Sequence, residues 1–300
     1  MAPQDQASYV LLDVFTSTKY GGNQLAIFPD ASSIDPSLFQ SIARELNLSE
    51  TVFLFPPQTD GEHHAMRIFT PGQELPTAGH PTIGTAYYLS RQIEPPENGR
   101  VTISLIQKIG IIPVEIDYSN NAPDMITMSQ PLPYFGPVHD EKRQVLADAL
   151  SLSVDDFSSS PIQEISCGNN TILVQLKSLT ALAKCELNPV LWKTIKPQVN
   201  DAFLYVFTLE GVSDGDVQGR MFAPEIGIME DPATGSANGP LICYLTKYGL
   251  AKGSIISLQG YEMGRPSQLF VEAITNQVGE IIEVKVGGKC VETGKGVHYI

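Results

Sequence analysis

The chain has 300 residues, 42% of them hydrophobic and 17% charged, with a formal net charge of −14. That acidity excludes the basic face that nucleic acid or an anionic membrane surface needs, and no apolar run approaches the ~18 residues of a membrane span. The length allows one large or two medium domains around a sizeable core.

Residues 1–10, MAPQDQASYV, lack the basic-then-apolar pattern of a secretory signal, so a cytoplasmic protein is expected. GGNQLAIF (21–28) reads as a Gly-Asn turn running into a strand. DPSLFQSIAREL (35–46) reads as a helix, with Asp35 as N-cap and Pro36 in the first helical position. TVFLF (51–55) is a strongly apolar strand with Glu50 at its mouth, and RIFTP (67–71) ends another strand. PTAGH (76–80) then opens the helix-like run PTIGTAYYLSRQ. The strands RVTISLIQ and GIIPVEID follow, and the turn-rich YSNNAPD (118–124) is a candidate domain boundary.

Beyond that point the order repeats. CGNNTILV (167–174) echoes the Gly-Asn turn, NPVLWKTIKPQV (188–199) the capped helix, and AFLYVF (202–207) the apolar strand. RMFAP (220–224) and PATGS (232–236) echo RIFTP and PTAGH, and lead into ANGPLICYLTKYG. The echoes keep one order at offsets between 145 and 156 residues, which chance similarity of short apolar segments does not produce. SIISLQG, SQLFVEAI and IIEVKV complete the second half, and GKGVHYI (294–300) can return to the first. The expectation is an α+β protein of two like halves, residues 1–122 and 123–300, each with much antiparallel strand around few helices.

A helix start exposes unpaired N–H groups and partial positive charge, so it suits a carboxylate or phosphate. One such start, taken alone, is an ordinary cap. Here it occurs once per half, at Gly79-His80 and at Gly235-Ser236. If the halves pair about a pseudo-twofold axis, the two starts can face each other across a cleft, a favoured place for a small ligand. Glu50 at a strand mouth is ordinarily a solvated edge; partly removed from water it becomes a proton carrier. TGSANG misses the G-x-S-x-G spacing of a nucleophile elbow, and no dinucleotide fingerprint is present. His63-His64 lies in a polar loop, and His139 and His298 show no partner in the sequence. The four cysteines, Cys167, Cys185, Cys243 and Cys290, have neither CxxC nor metal-ligand spacing, so free thiols and no metal are expected.

NLSETVFL, RIFTPGQELPTAGHPTIG and MFAPEIGIMEDPATGSA together resemble the signature stretches of the phenazine-biosynthesis PhzF-like family. The resemblance runs over nearly the whole chain. It implies the diaminopimelate-epimerase-like fold, two pseudo-symmetric halves each with a curved sheet around a central helix, with the active site between them. It also implies an isomerase without cofactor or metal, acting on a small anionic, carboxylate-bearing and cyclic substrate. In that reading Glu50 takes a proton from one carbon and returns one to another. His80, Asp231 and Ser236 bind and orient the substrate, and the amides around Gly79 and Gly235 receive its carboxylate. Asn23 falls in the family's Gly-Asn-Pro turn, where this chain has Gln24 in place of proline. A homodimer is a further implication. Related epimerases and proline racemases use one cysteine from each half, and no cysteine lies in 74–86 or 230–241. A Glu-based epimerase of an amino-acid-like substrate and a non-catalytic small-molecule-binding protein stand as alternatives.

Overall fold

The computed structural model describes residues 6–57, 63–94, 96–210 and 215–300. The chain forms two compact units, one of residues 1–128 with 287–300 and one of residues 129–286. Both are rich in sheet.

In the first unit β1 (Gln6–Val14), β2 (Asn23–Phe28), α1 (Phe39–Leu46) and β3 (Glu50–Phe55) are followed by β4 (His64–Phe69) and β5 (Glu74–Leu75). Then come α2 (Gly79–Ser90), β6 (Gly99–Gln107), β7 (Gly110–Ser119) and β8 (Ala122–Gln130). The carboxylate of Asp35 accepts from the Ser37 N–H, and Pro36 opens a 3-10 turn into α1. α1 covers a cluster of phenylalanines in which Phe39 and Phe53 stack at 4.1 Å and Phe28 and Phe53 at 5.1 Å. α2 is buried on nearly every side, as a helix at the centre of a curved sheet must be.

The second unit holds β9 (Tyr134–Val138), α3 (Arg143–Ala149), β10 (Gln163–Ser166), β11 (Asn170–Gln175), α4 (Leu179–Lys184) and α5 (Pro189–Ile195). β12 (Phe203–Thr208), β13 (Val217–Ala223), β14 (Ile228–Asp231) and α6 (Gly235–Lys247) follow, then β15 (Gly253–Gln259), β16 (Ser267–Thr275) and β17 (Ile281–Gly288). Asn188 caps α5 by accepting from the N–H groups of Val190 and Leu191. Trp192 on α5 sits in a core with Leu146, Leu182, Leu204 and Phe222.

The internal pairing is the same in both units. β2 and β3 run parallel, β3 and β4 antiparallel, β4 and β6 parallel. β11 and β12, β12 and β13, β13 and β15 repeat that series. The last strand, β18 (Cys290–Tyr299), pairs antiparallel with β1 along its whole length.

The turn at 118–124 is not where the chain changes unit. Asn120 and Asn121 have φ of 53° and 59°, the paired left-handed conformation of a tight hairpin, and they join β7 to β8. The change falls within β8, after residue 128. Polar turn residues read alike in a hairpin and in a linker. α3 and α4 have no counterpart in the first unit's chain order. All four cysteines are free, and no helix among the described residues is long and apolar enough to cross a membrane.

Candidate active site

In the first unit the parallel pairing of β2 and β3 sets Leu25 beside Glu50, so the two strands begin together. Gly22 turns the chain into β2 with φ of +61°, and a Cβ there would lie 2.3 Å from the Val14 carbonyl oxygen. Only glycine makes this turn, and the next residue, Asn23, is fully buried. α2 lies against β1, β2 and β3, and its second residue, His80, brings Nδ1 to 3.0 Å from Glu50 Oε2. Both residues are buried, at 4% and 8% exposure.

Burial pushes the His80 pKa down to about 3, against a backbone hydrogen bond with Gln24 that favours the protonated ring. His80 is therefore neutral, and the pair carries at most the single charge of the carboxylate. No side chain caps α2 and no acidic residue stands in its first turn. The amides of Gly79 and His80 thus sit at the positive end of the helix, close to the Glu50 carboxylate.

In the second unit Asp231 ends β14 and is buried. The Thr234 hydroxyl donates to Asp231 Oδ2 at 2.5 Å. α6 follows at once, with Gly235 buried and Ser236 half-buried in its first two positions. Here too no side chain caps the helix and no acid stands in the first turn. Gln130 Nε2 donates to the Gly235 carbonyl at 2.9 Å. Thus Glu50 and His80 meet within the first unit, with Asn23 and Gly79 on the adjoining strand and helix starts, while Asp231, Gly235 and Ser236 share one short turn of the second.

Sequence reasoning missed two residues. Gln107 and Gln259 are each the last residue of their strand, β6 and β15, and both are buried. Each hydrogen-bonds the start of its unit's central helix, Gln107 through Thr82 and Gln259 through Thr234 and Asn238. The echo of SLIQ in SLQ, 152 residues apart, was the available signal. His139 also differs from its expectation. It pairs through Nε2 with Oε1 of the buried Glu164 at 2.5 Å, and the amides of Asn170 and Asn200 donate to the same carboxylate. Residues so far apart in sequence gave no hint of this cluster. His298 packs against the Phe28 ring at 6.3 Å. Among the described residues no group of three or more His, Cys, Asp or Glu side chains is placed to hold a metal ion.

Comparison with known proteins adds four findings. The family described as phenazine biosynthesis-like protein (PhzC-PhzF) matches residues 12–296. The trans-2,3-dihydro-3-hydroxyanthranilate isomerase of Pseudomonas fluorescens is 35% identical, over 96% of this chain and 98% of its own length. The crystal structure of a PhzF-family phenazine biosynthesis protein from Bacillus anthracis superposes with a TM-score of 0.88 at 26% identity, covering 98% of this chain and 99% of the other. A hydroxyproline epimerase from Agrobacterium vitis, at 12% identity and a TM-score of 0.64 over 99% and 93% of the two chains, shares the fold.

Proposed function

The chain belongs to the phenazine biosynthesis-like family of isomerases, and from that premise we propose that Glu50 carries a proton between two carbons of a small, cyclic, carboxylate-bearing substrate. The observation that carries the reading is the buried Glu50–His80 pair at the uncapped start of α2. A carboxylate shielded from water and facing a neutral imidazole is a competent general base, and once protonated it is the matching acid. Glu50 accepts the proton from one carbon as the electron pair moves into the adjoining double-bond system, and it returns a proton at another carbon. Base and acid are one group, so no second titrating residue is required. His80, beside that carboxylate, binds and orients the substrate. The amides at Gly79 and Gly235 receive the substrate carboxylate, and Asn23, Asp231 and Ser236 orient the rest.

Neither a metal nor an organic cofactor enters this scheme. Protein dialysed against a chelator should turn over at the rate of the untreated enzyme, and loss of rate restored by a divalent ion would defeat that part. Size-exclusion chromatography with light scattering tests the homodimer.

The first compound to offer is the substrate named for the Pseudomonas fluorescens relative, trans-2,3-dihydro-3-hydroxyanthranilate, followed by other cyclic amino and hydroxy acids. In heavy water, NMR and mass spectrometry should find deuterium at a carbon distant from the carboxylate, with a shifted double bond. Label at the alpha carbon with inversion would instead make the enzyme an epimerase. Glu50→Gln keeps the side chain's size and should lose about 10²-fold or more in rate. Full turnover in that variant sinks the assignment.

A further inference from the structure

Gln259 reaches into the second unit's candidate site at several points. It is completely buried at the end of β15. Its Oε1 accepts from the Thr234 N–H at 3.1 Å, from Asn238 Nδ2 at 3.3 Å and from the Tyr205 hydroxyl at 3.5 Å. Its Nε2 donates to the Asp231 carbonyl at 2.7 Å and to Thr234 Oγ1 at 2.9 Å. The orientation of the carboxamide is forced, because a backbone N–H can only donate and a carbonyl can only accept.

That orientation fixes the direction of the next bond. Thr234 Oγ1 already accepts from Gln259, so its one hydrogen is directed at Asp231 Oδ2. An ionised carboxylate can only accept, and the carboxamide N–H on Oγ1 agrees with that direction while it fixes where the hydroxyl sits. Gly260, the next residue, has φ of +76°, and a Cβ on it would lie 2.6 Å from the Pro232 carbonyl oxygen. The end of β15 and the 231–234 turn are therefore pressed together.

The first unit repeats the device. Gln107 Nε2 donates to Thr82 Oγ1 at 2.6 Å, and that hydroxyl donates to the Ala78 carbonyl at 2.6 Å. Amide, hydroxyl and acceptor follow in the same order, at the same strand end, against the start of the same central helix. The hydroxyl and the acceptor both differ: Thr82 is the fourth residue of α2 and matches Asn238 in the repeat, whereas Thr234 precedes α6, and the series ends on a backbone carbonyl in one unit and on a carboxylate in the other.

We propose that Gln259 is a positioning residue that, through the Thr234 hydroxyl, aims the Asp231 carboxylate for its work on the substrate. The functional half of this inference rests on the reading that Asp231 orients substrate. Two measurements separate them. In the first, crystal structures of Gln259→Met and Thr234→Val are compared with the wild type, with no substrate needed. The carboxylate of Asp231 should turn from its wild-type direction in both. An unmoved carboxylate in Gln259→Met overturns the inference whatever the kinetics.

The second uses turnover of the substrate found as above. Asp231→Asn sets the reference, and its full activity would remove the role of Asp231 while leaving the crystallographic result for Gln259 unaffected. Gln259→Met and Thr234→Val should each lower kcat/KM by about 10- to 100-fold, the scale of a misaimed group. The double variant should lose no more than the worse single one, because both act through one chain. Losses that multiply would mark Gln259 as merely structural, and so would a Gln259→Met enzyme within twofold of wild type beside an inactive Asp231→Asn. Should Gln259→Met fail to fold, Gln259→Glu keeps the acceptors for Thr234 and Asn238, lacks the donor, and is held to the same outcomes.

Discussion

The proton state of His80 enters the stability of the first unit directly. Burial holds its folded pKa at about 3, while an unfolded histidine titrates near ~6.5. Above that value both states are neutral and the residue makes no pH-dependent contribution. As pH falls through it, the unfolded chain binds a proton that the folded chain refuses, so stability is lost progressively between about 6.5 and 3. His80→Gln cannot titrate, and urea melts should show a flatter stability profile over that window. An unchanged slope would mean that His80 is not the group responsible. Glu164 offers a contrasting case. Its carboxylate receives His139, Asn170 and Asn200, and Glu164→Leu would take that partner from the buried His139, while the exposed Asn200 turns to water and Asn170 keeps the Asn200 carbonyl. A loss of roughly 3 kcal/mol is expected from removing one member of such a buried set, read by chemical denaturation.

Among the elements, the duplicated strands carry duplicated ion pairs of unequal weight. Arg67 on β4 meets Glu74 in a two-pronged pair, and Arg220 on β13 meets Glu230 in the same way. The first pair is 38% and 25% exposed, the second 9% and 16%. Arg220 also donates to the carbonyls of Leu182 and Cys185. Arg67→Met should therefore cost about 1 kcal/mol or less, and Arg220→Met several times more, about 3 kcal/mol, because it strands a half-buried carboxylate and two carbonyls. Equal losses in thermal or urea unfolding would contradict the comparison. α2 gives a further test. A Cβ on Gly84 would lie 2.5 Å from Leu25 Cδ2 and 2.9 Å from Val14 Cγ2. Gly84→Ala should cost roughly 1–3 kcal/mol and push α2 off β2, loosening the Glu50–His80 contact.

Across the whole molecule, the repeated plan was legible because each copy keeps the same apolar strands and the same capped helix, with Asp35 in one and Asn188 in the other. The role of Glu50 was legible only through the family resemblance, since periodicity leaves it on a solvated edge, while His80 stood out at a helix start that the second half repeats. Gln107 and Gln259 were not legible, since a glutamine closing a strand looks like a solvated end until the strand is seen to stop against a buried helix. The 118–124 turn misled because its two asparagines serve a hairpin equally well.

The pairing of the last strand with the first has a consequence for the order of the chain itself. Gln6 stands opposite Tyr299, so the two ends of the sheet pair are neighbours that a short turn could join. The first unit is assembled from two separate stretches, while the second is one. A circular permutant opened at residues 131–133, between β8 and β9, and closed by a brief linker from 300 to 6 would turn the first unit into one uninterrupted segment, with only the end of β8 separated from the second. Such a chain should fold with unchanged circular dichroism. It should also complete its units one after the other as it leaves the ribosome, whereas in the natural order β1 waits for residues 290–299 to be made. Limited proteolysis of stalled nascent chains would show the difference: β1 protected last in the natural order, and the 129–286 unit protected before it in both.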